Sequence, residues 1–86
     1  GRFWEIDIIA KFEGITVFVE VKYRSSDKFW IWEESITPYK LRKIKKTVES
    51  YCFIKKVNFE NIRFDAISIM KEISSYKLKH YKNIEI

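Results

Sequence analysis

From Glu5 to Phe12 the chain alternates, with Ile6, Ile8, Ala10 and Phe12 on one side and Glu5, Asp7, Ile9 and Lys11 on the other. A period of two is the signature of a strand. A second alternating run, Ile15 to Tyr23, sets Ile15, Val17, Val19, Val21 and Tyr23 against Thr16, Phe18, Glu20 and Lys22. Only Glu13 and Gly14 separate the two runs, so a two-residue hairpin turn is predicted. Near Ile36 the period changes. Thr37 suits a helix N-cap, Pro38 suits the first helical position, and Ile36 and Leu41 stand at the spacing of a hydrophobic staple. Leu41, Ile44, Val48, Tyr51 and Cys52 then recur at helical spacing, which predicts a helix running to Ile54 with one buried stripe. Ile62 to Met70 and Tyr76 to Tyr81 read as two further strands joined by a turn over Lys71 to Ser75. The order strand, strand, helix, strand, strand predicts an α/β fold, a small mixed sheet of two hairpins with a flanking helix.

Composition bounds what such a fold can be. The 86 residues, 47% hydrophobic and with only 2 Gly and 1 Pro, fit a single domain over residues 1–86 and exclude disordered and collagen-like classes. No apolar run reaches the roughly 18 residues of a membrane span and no signal peptide opens the sequence, so no membrane partner is expected. The lone Cys52 excludes an internal disulfide framework and a multi-cysteine zinc site, which fits a reducing cytoplasm. Because the sequence opens Gly-Arg and its first strand starts almost at once, part of the natural N-terminus is expected to lie upstream. Seventeen Lys and Arg against 12 Asp and Glu give a formal charge of +5, which favours an anionic partner such as nucleic acid.

The hairpin locates the candidate chemistry. With Glu13 and Gly14 as the turn, residues whose numbers sum to 27 face each other, so Asp7 lies opposite Glu20 and Glu5 opposite Lys22. Directly opposed like charges destabilise a hairpin, and two carboxylates so placed call for a shared proton, a basic neighbour or a divalent cation. Lys22 emerges two residues from Glu20 on the same face, where an ammonium could position a water or stabilise charge developing on a phosphate. If that face were open to water, the same residues would be an ordinary solvated polar ladder. Ile9 and Phe18 share the face, however, so it is expected to be covered. Glu at a positive-φ turn position is less suited than Asn or Asp, and a bulged turn would shift the whole register.

The segment TPYKLRKIKK adds a second signal. Lys40, Arg42 and Lys43 stand in the opening turns of the helix, where cations oppose the macrodipole at about 0.3 to 1 kcal/mol each. A phosphate at the helix N-terminus would reverse that cost. The alternative is a lysine-rich solvated helix face.

Taken in order, EIDIIA, the hairpin turn, VFVEVKYRSS, SITPYKLRKIKK and RFDAISI resemble the YraN-like uncharacterised protein family of the PD-(D/E)xK, restriction-endonuclease-like superfamily, over residues 2–70. The resemblance implies a restriction-endonuclease-like core in which Asp7 and Glu20, with the backbone carbonyl of Val21, hold Mg²⁺ or Mn²⁺. It implies that Lys22 assists the attacking water and that Lys40 faces the site from the helix. Asp7, Glu20 and Lys22 are then the expected catalytic residues, Lys40, Arg42 and Lys43 the expected nucleic-acid contacts, and Glu5 a candidate accessory acid. The substrate would be DNA ahead of RNA.

The sequence also departs from the family pattern. Members carry upstream of EIDIIA a helix with a further acidic site residue, and Trp4 and Trp30 stand where glycines are usual. Two other readings therefore stand beside the hydrolase: a non-catalytic nucleic-acid-binding module with a degenerate nuclease fold, and a homodimeric interaction domain joined through Trp4, Trp30 and Trp32. Trp30 and Trp32 could also stack on unpaired bases, but packing or a dimer contact is the expected role. His80, the single histidine, is expected to be structural rather than a metal ligand, as is the pair Arg63 and Asp65.

Overall fold

The computed structural model describes residues 6–24 and 37–86. Four strands form one sheet in the order β1-β2-β3-β4: β1 Ile8–Phe12, β2 Ile15–Arg24, β3 Ile62–Lys71 and β4 Tyr76–Tyr81. The outer pairs are antiparallel hairpins and the central pair β2 and β3 is parallel. Parallel neighbours need a crossover, supplied here by the helix α1, Pro38–Lys55, and a short 3-10 turn at Phe59–Asn61. The fold is the expected small mixed α/β sheet with a flanking helix.

The first hairpin keeps its simplest register. Glu13 (φ 51°) and Gly14 (φ 79°) both take left-handed conformations, as a type I′ turn requires, and Ile8 pairs with Val19 through to Phe12 with Ile15. Glu13 accepts the unfavourable φ and no bulge shifts the ladder. At the other end of β1 the alternation expected from Glu5 onward breaks. The ladder ends at Ile8 with Val19, and the Asp7 N–H donates to the Val19 carbonyl at 3.2 Å. Ile6 consequently joins the buried core instead of sharing the exposed face of Ile8 and Phe12.

α1 begins as its sequence requires. The Thr37 side chain accepts from the Lys40 N–H at 3.1 Å, Pro38 occupies the first turn, and Lys56 (φ 58°) ends the helix in a left-handed conformation. Its buried residues Ile44, Val48 and Cys52 pack on Phe18, Phe64 and Ala66 of the central strands. Phe18 meets Tyr51 edge to face, with ring centroids 5.3 Å apart. Burying a side chain as large as Phe18 contributes about 1.5 to 3 kcal/mol, so this contact layer fixes where α1 lies on the sheet. β2 is buried from Thr16 to Glu20 on both of its faces, as the centre of a sheet demands.

A second pinning point lies on the sheet face away from Phe18 and Phe64. The buried Asp65 carboxylate accepts from Arg63 Nε at 2.9 Å and Nη2 at 2.8 Å, lies 2.8 Å from His80 Nε2, and accepts from the Asn83 N–H at 2.9 Å. Burial pushes the Asp65 carboxyl up, but the Arg63, Asn83 and His80 contacts outweigh it and hold it below the usual carboxylate range. The next residue, Ile84, donates its N–H to the Phe64 carbonyl at 2.7 Å, and Ile84 and Ile86 pack against the core. Arg63, Asp65 and His80 thus form one structural clip that fastens β4 and the tail to β3.

Candidate active site

Where β1 leaves the sheet, its ladder is replaced by a side chain. The Val21 N–H donates to Asp7 Oδ2 at 2.7 Å, the short distance of a charge-assisted hydrogen bond. In a strand, the N–H and C=O of one residue point to the same edge, so the Val21 carbonyl is directed to the Asp7 side of β2 as well. The regular pairing of Asp7 with Glu20 expected from the hairpin stops one pair short. Asp7 is nevertheless held at this edge, through its carboxylate to the residue after Glu20.

Glu20 stands opposite Ala66 in β3, on the face that carries Phe18 and Phe64, and is 6% exposed. A carboxylate so deeply placed needs compensation, and two lysines supply it: Lys22 Nζ at 3.4 Å and Lys40 Nζ at 3.6 Å from Glu20 Oε2. Both distances exceed the 2.7–2.9 Å typical of a direct charge-assisted bond, so Glu20 is balanced in charge without being clamped. Contact with the Lys22 ammonium, then burial and repulsion between the two cations, push the Lys40 ammonium below the usual lysine value against the pull of Glu20. The structure thus places Lys40 beside Glu20. This placement follows from the cap at Thr37, which fixes the first turn of α1, and from the core contacts of Ile44 and Val48, which fix its rotation.

The other expected site residues are distributed differently. Arg42 and Lys43 are exposed on α1, and Lys43 Nζ lies 5.4 Å from the Tyr39 ring centroid rather than at the carboxylates. Glu5, Trp4, Trp30 and Trp32 lie outside the described residues. Among the described residues no group of three or more His, Cys, Asp or Glu side chains gathers in metal-binding geometry. The oxygen set at the β1 edge is therefore two carboxylates and the Val21 carbonyl. Hard oxygen donors of this kind fit Mg²⁺ or Mn²⁺, and the loosely paired Glu20 can turn to an added cation.

Hairpin arithmetic missed two features. Residues of the second hairpin sum to 147, which sets His80 opposite Ile67 and hence on the Asp65 face; the same counting that located Asp7 could have found this. The row Lys22, Ser68, Lys79 depends on parallel pairing between β2 and β3, for which the sequence carries no local signal.

A mixed sheet with a crossover helix and a carboxylate–lysine cluster where β1 ends defines a small α/β protein with a candidate site of two acids and two lysines. Residues 1–69 match the Uncharacterised protein family UPF0102, and the chain belongs to that family, the YraN-like family that its ordered segments resemble. It is 40% identical over 79 residues to a UPF0102 protein of Flavobacterium psychrophilum, covering 92% of this chain and 66% of that one. It is 42% identical over 83 residues to a UPF0102 protein of Persephonella marina, covering 96% and 68%. A UPF0102 protein of Clostridium botulinum is 39% identical over 85 residues, covering 96% and 70%. The chain thus spans about two thirds of the length of these relatives. Among the described residues no helix is long and apolar enough to cross a membrane.

Proposed function

We propose that this chain carries a divalent-metal-dependent nuclease-like site that binds DNA, with RNA as the second choice, and hydrolyses its phosphodiesters. The observation that carries the reading is the convergence of Asp7, Glu20, Lys22 and Lys40 at the edge where β1 ends. Burying the Glu20 carboxylate between two ammonium groups costs desolvation, which a metal ion or a phosphate at this edge would offset. Asp7, Glu20 and the Val21 carbonyl would hold Mg²⁺ or Mn²⁺, which when bound polarises a phosphate and lowers the pKa of a coordinated water.

Hydrolysis adds water across one P–O ester bond: the water oxygen joins phosphorus, the ester oxygen departs, and a proton ends on that oxygen. Lys22, half-buried and anchored to Glu20, would orient the attacking water or offset charge on the phosphate oxygens. Lys40 would balance the Glu20 carboxylate in charge and add positive potential at the phosphate. Arg42 and Lys43, exposed further along α1, would contact flanking phosphates.

One observation favours a second reading, a non-catalytic nucleic-acid-binding module. The described residues bring only two acids together, and both nearby lysines already balance one of them. Incubating the protein with single-stranded, duplex and branched DNA in Mg²⁺ or Mn²⁺, beside Asp7→Ala and Lys22→Ala, separates the readings. Metal-dependent cleavage lost in both variants supports the nuclease. Cleavage surviving both substitutions is a contaminant's and sinks it, and absence of metal binding at millimolar concentration puts the binding module first.

A further inference from the structure

The sheet continues past the start of α1, and the residues it carries there are cationic. On the Glu20 face, the parallel and antiparallel registers align Lys22 of β2, Ser68 of β3 and Lys79 of β4 in one row. Arg24, Met70 and Lys77 form the next. Directly paired residues share a face, so these rows continue the surface on which Glu20 meets Lys22 and Lys40. Arg24, Lys77 and Lys79 are exposed, whereas Ser68 is 6% exposed and Met70 half-buried. Two cationic edges thus flank a low floor. The edges lie about 9.5 Å apart, two inter-strand spacings, and the cations along each are about 6.7 Å apart, two strand rises. In these rows and the adjoining row of Glu20, Ala66 and Tyr81, Glu20 is the single carboxylate.

We propose that Lys77 and Lys79 of β4, facing Lys22 and Arg24 of β2, form a shelf that seats the phosphate backbone of duplex DNA beside the Asp7–Glu20 edge. The shelf gives the substrate class of the nuclease-like reading and rests on it. Charge complementarity identifies a polyanion, and the floor selects among polyanions. Binding of single strands relies on exposed rings on which bases stack. Within these rows the one ring, Tyr81, is half-buried against the core with Lys79 Nζ 6.0 Å from its centroid; Tyr23 and Tyr76 pair on the opposite face, ring centroids 6.4 Å apart, and the exposed Tyr39 stands on α1, outside the rows. Recognition of the RNA 2′-hydroxyl needs a presented polar group, and the one hydroxyl of the floor, Ser68, is buried. What remains is contact with the backbone of a duplex whose bases stay stacked, the sequence-independent mode in which lysines register a nucleic acid against a site.

The test is binding of the purified chain to labelled duplex DNA in EDTA, followed by fluorescence anisotropy over a range of salt concentrations, with folding of every variant checked by circular dichroism. Each phosphate contact steepens the log–log salt slope by about 0.9, so Lys77→Gln/Lys79→Gln should flatten it by about 2 and weaken binding about 60-fold near 0.1 M salt. The charge-preserving Lys77→Arg/Lys79→Arg variant should retain the slope. Lys46→Gln/Lys55→Gln, which removes the same charge from exposed positions on α1, should leave the slope nearly unchanged. An unmoved slope in the β4 variant, or an equal loss in the α1 variant, overturns the shelf. Single-stranded DNA bound as tightly as duplex overturns the duplex assignment, and duplex RNA bound as tightly overturns the choice of DNA. Because binding is read without metal, an intact shelf with no Mg²⁺-dependent cleavage defeats the nuclease reading alone. Asp7-dependent cleavage with an unmoved slope defeats the shelf alone.

Discussion

Asp7→Asn separates the chemical role of Asp7 from its part in the fold. Asp7 is exposed and its structural duty is one hydrogen bond, accepted by Oδ2 from the Val21 N–H at 2.7 Å. Asparagine keeps the shape and a carbonyl oxygen there, so the loss is the difference between a charged and a neutral acceptor, about 1 kcal/mol. For 86 residues at about 2.1 cal/mol/K each, the unfolding entropy is about 0.18 kcal/mol/K, so Tm should fall by about 5 to 6 °C. The metal response should change more. A site filled to ten times its Kd stabilises the native state by about 1.4 kcal/mol, which raises Tm by about 8 °C. Asp7→Asn removes one of the two carboxylates and should abolish that increment together with cleavage. The assay is thermal unfolding with and without Mg²⁺, beside cleavage of duplex DNA. A fall of about 15 °C without metal would show that Asp7 anchors the fold far more than one hydrogen bond allows. A Mg²⁺ increment that persists in the variant would place the ion elsewhere.

Two further predictions concern the elements that hold the site in place. Asp65→Ala removes the partner of Arg63, His80 and the Asn83 N–H at a buried position and should cost about 3 to 5 kcal/mol, a drop in Tm of at least 15 °C or so by calorimetry. Because the folded Asp65 carboxyl titrates below its unfolded value, its contribution is present at neutral pH and is lost as pH falls from about 4 through that lower value. Stability in the variant should therefore fall less steeply over that acid range, and an unchanged acid profile would contradict the assignment. Glu13 has φ 51° without glycine's freedom, so Glu13→Asn should raise stability by about 0.5 to 1 kcal/mol in denaturant titration, with the hairpin register unchanged. A destabilised variant would mean that the Glu13 side chain makes a contribution the turn geometry does not show.

Much of the architecture could be read locally. The strands Ile15–Arg24 and Ile62–Lys71 agree with their alternation to within a residue, and α1 starts at the cap and proline that predict it. Counting back from Glu13 and Gly14 gave the register as far as Ile8 with Val19, because a two-residue turn leaves one simple pairing; the expected pair of Asp7 with Glu20 lies one step past the end of the ladder, where the Asp7 carboxylate accepts from the Val21 N–H instead. The same counting failed for Ile6, since a ladder cannot announce where it stops. Once the Asp7 carboxylate takes the Val21 N–H, the backbone of Ile6 is released from the pairing and its side chain joins the core.

Short-range pattern by itself determined the elements, the first hairpin and the shared face of Glu20 and Lys22, since turn length and side-chain alternation are properties of adjacent residues. Only the tertiary structure decided that Lys40 reaches Glu20, that Asp65 gathers Arg63, His80 and Asn83, and that Lys79 of β4 lies in line with Lys22. The first depends on a helix set down by core packing, the second on the tail folding back over the second hairpin, and the third on strands paired across a crossover. Such contacts are chosen by the burial of Phe18, Ile44 and Phe64 together, a cooperative outcome that no single segment encodes.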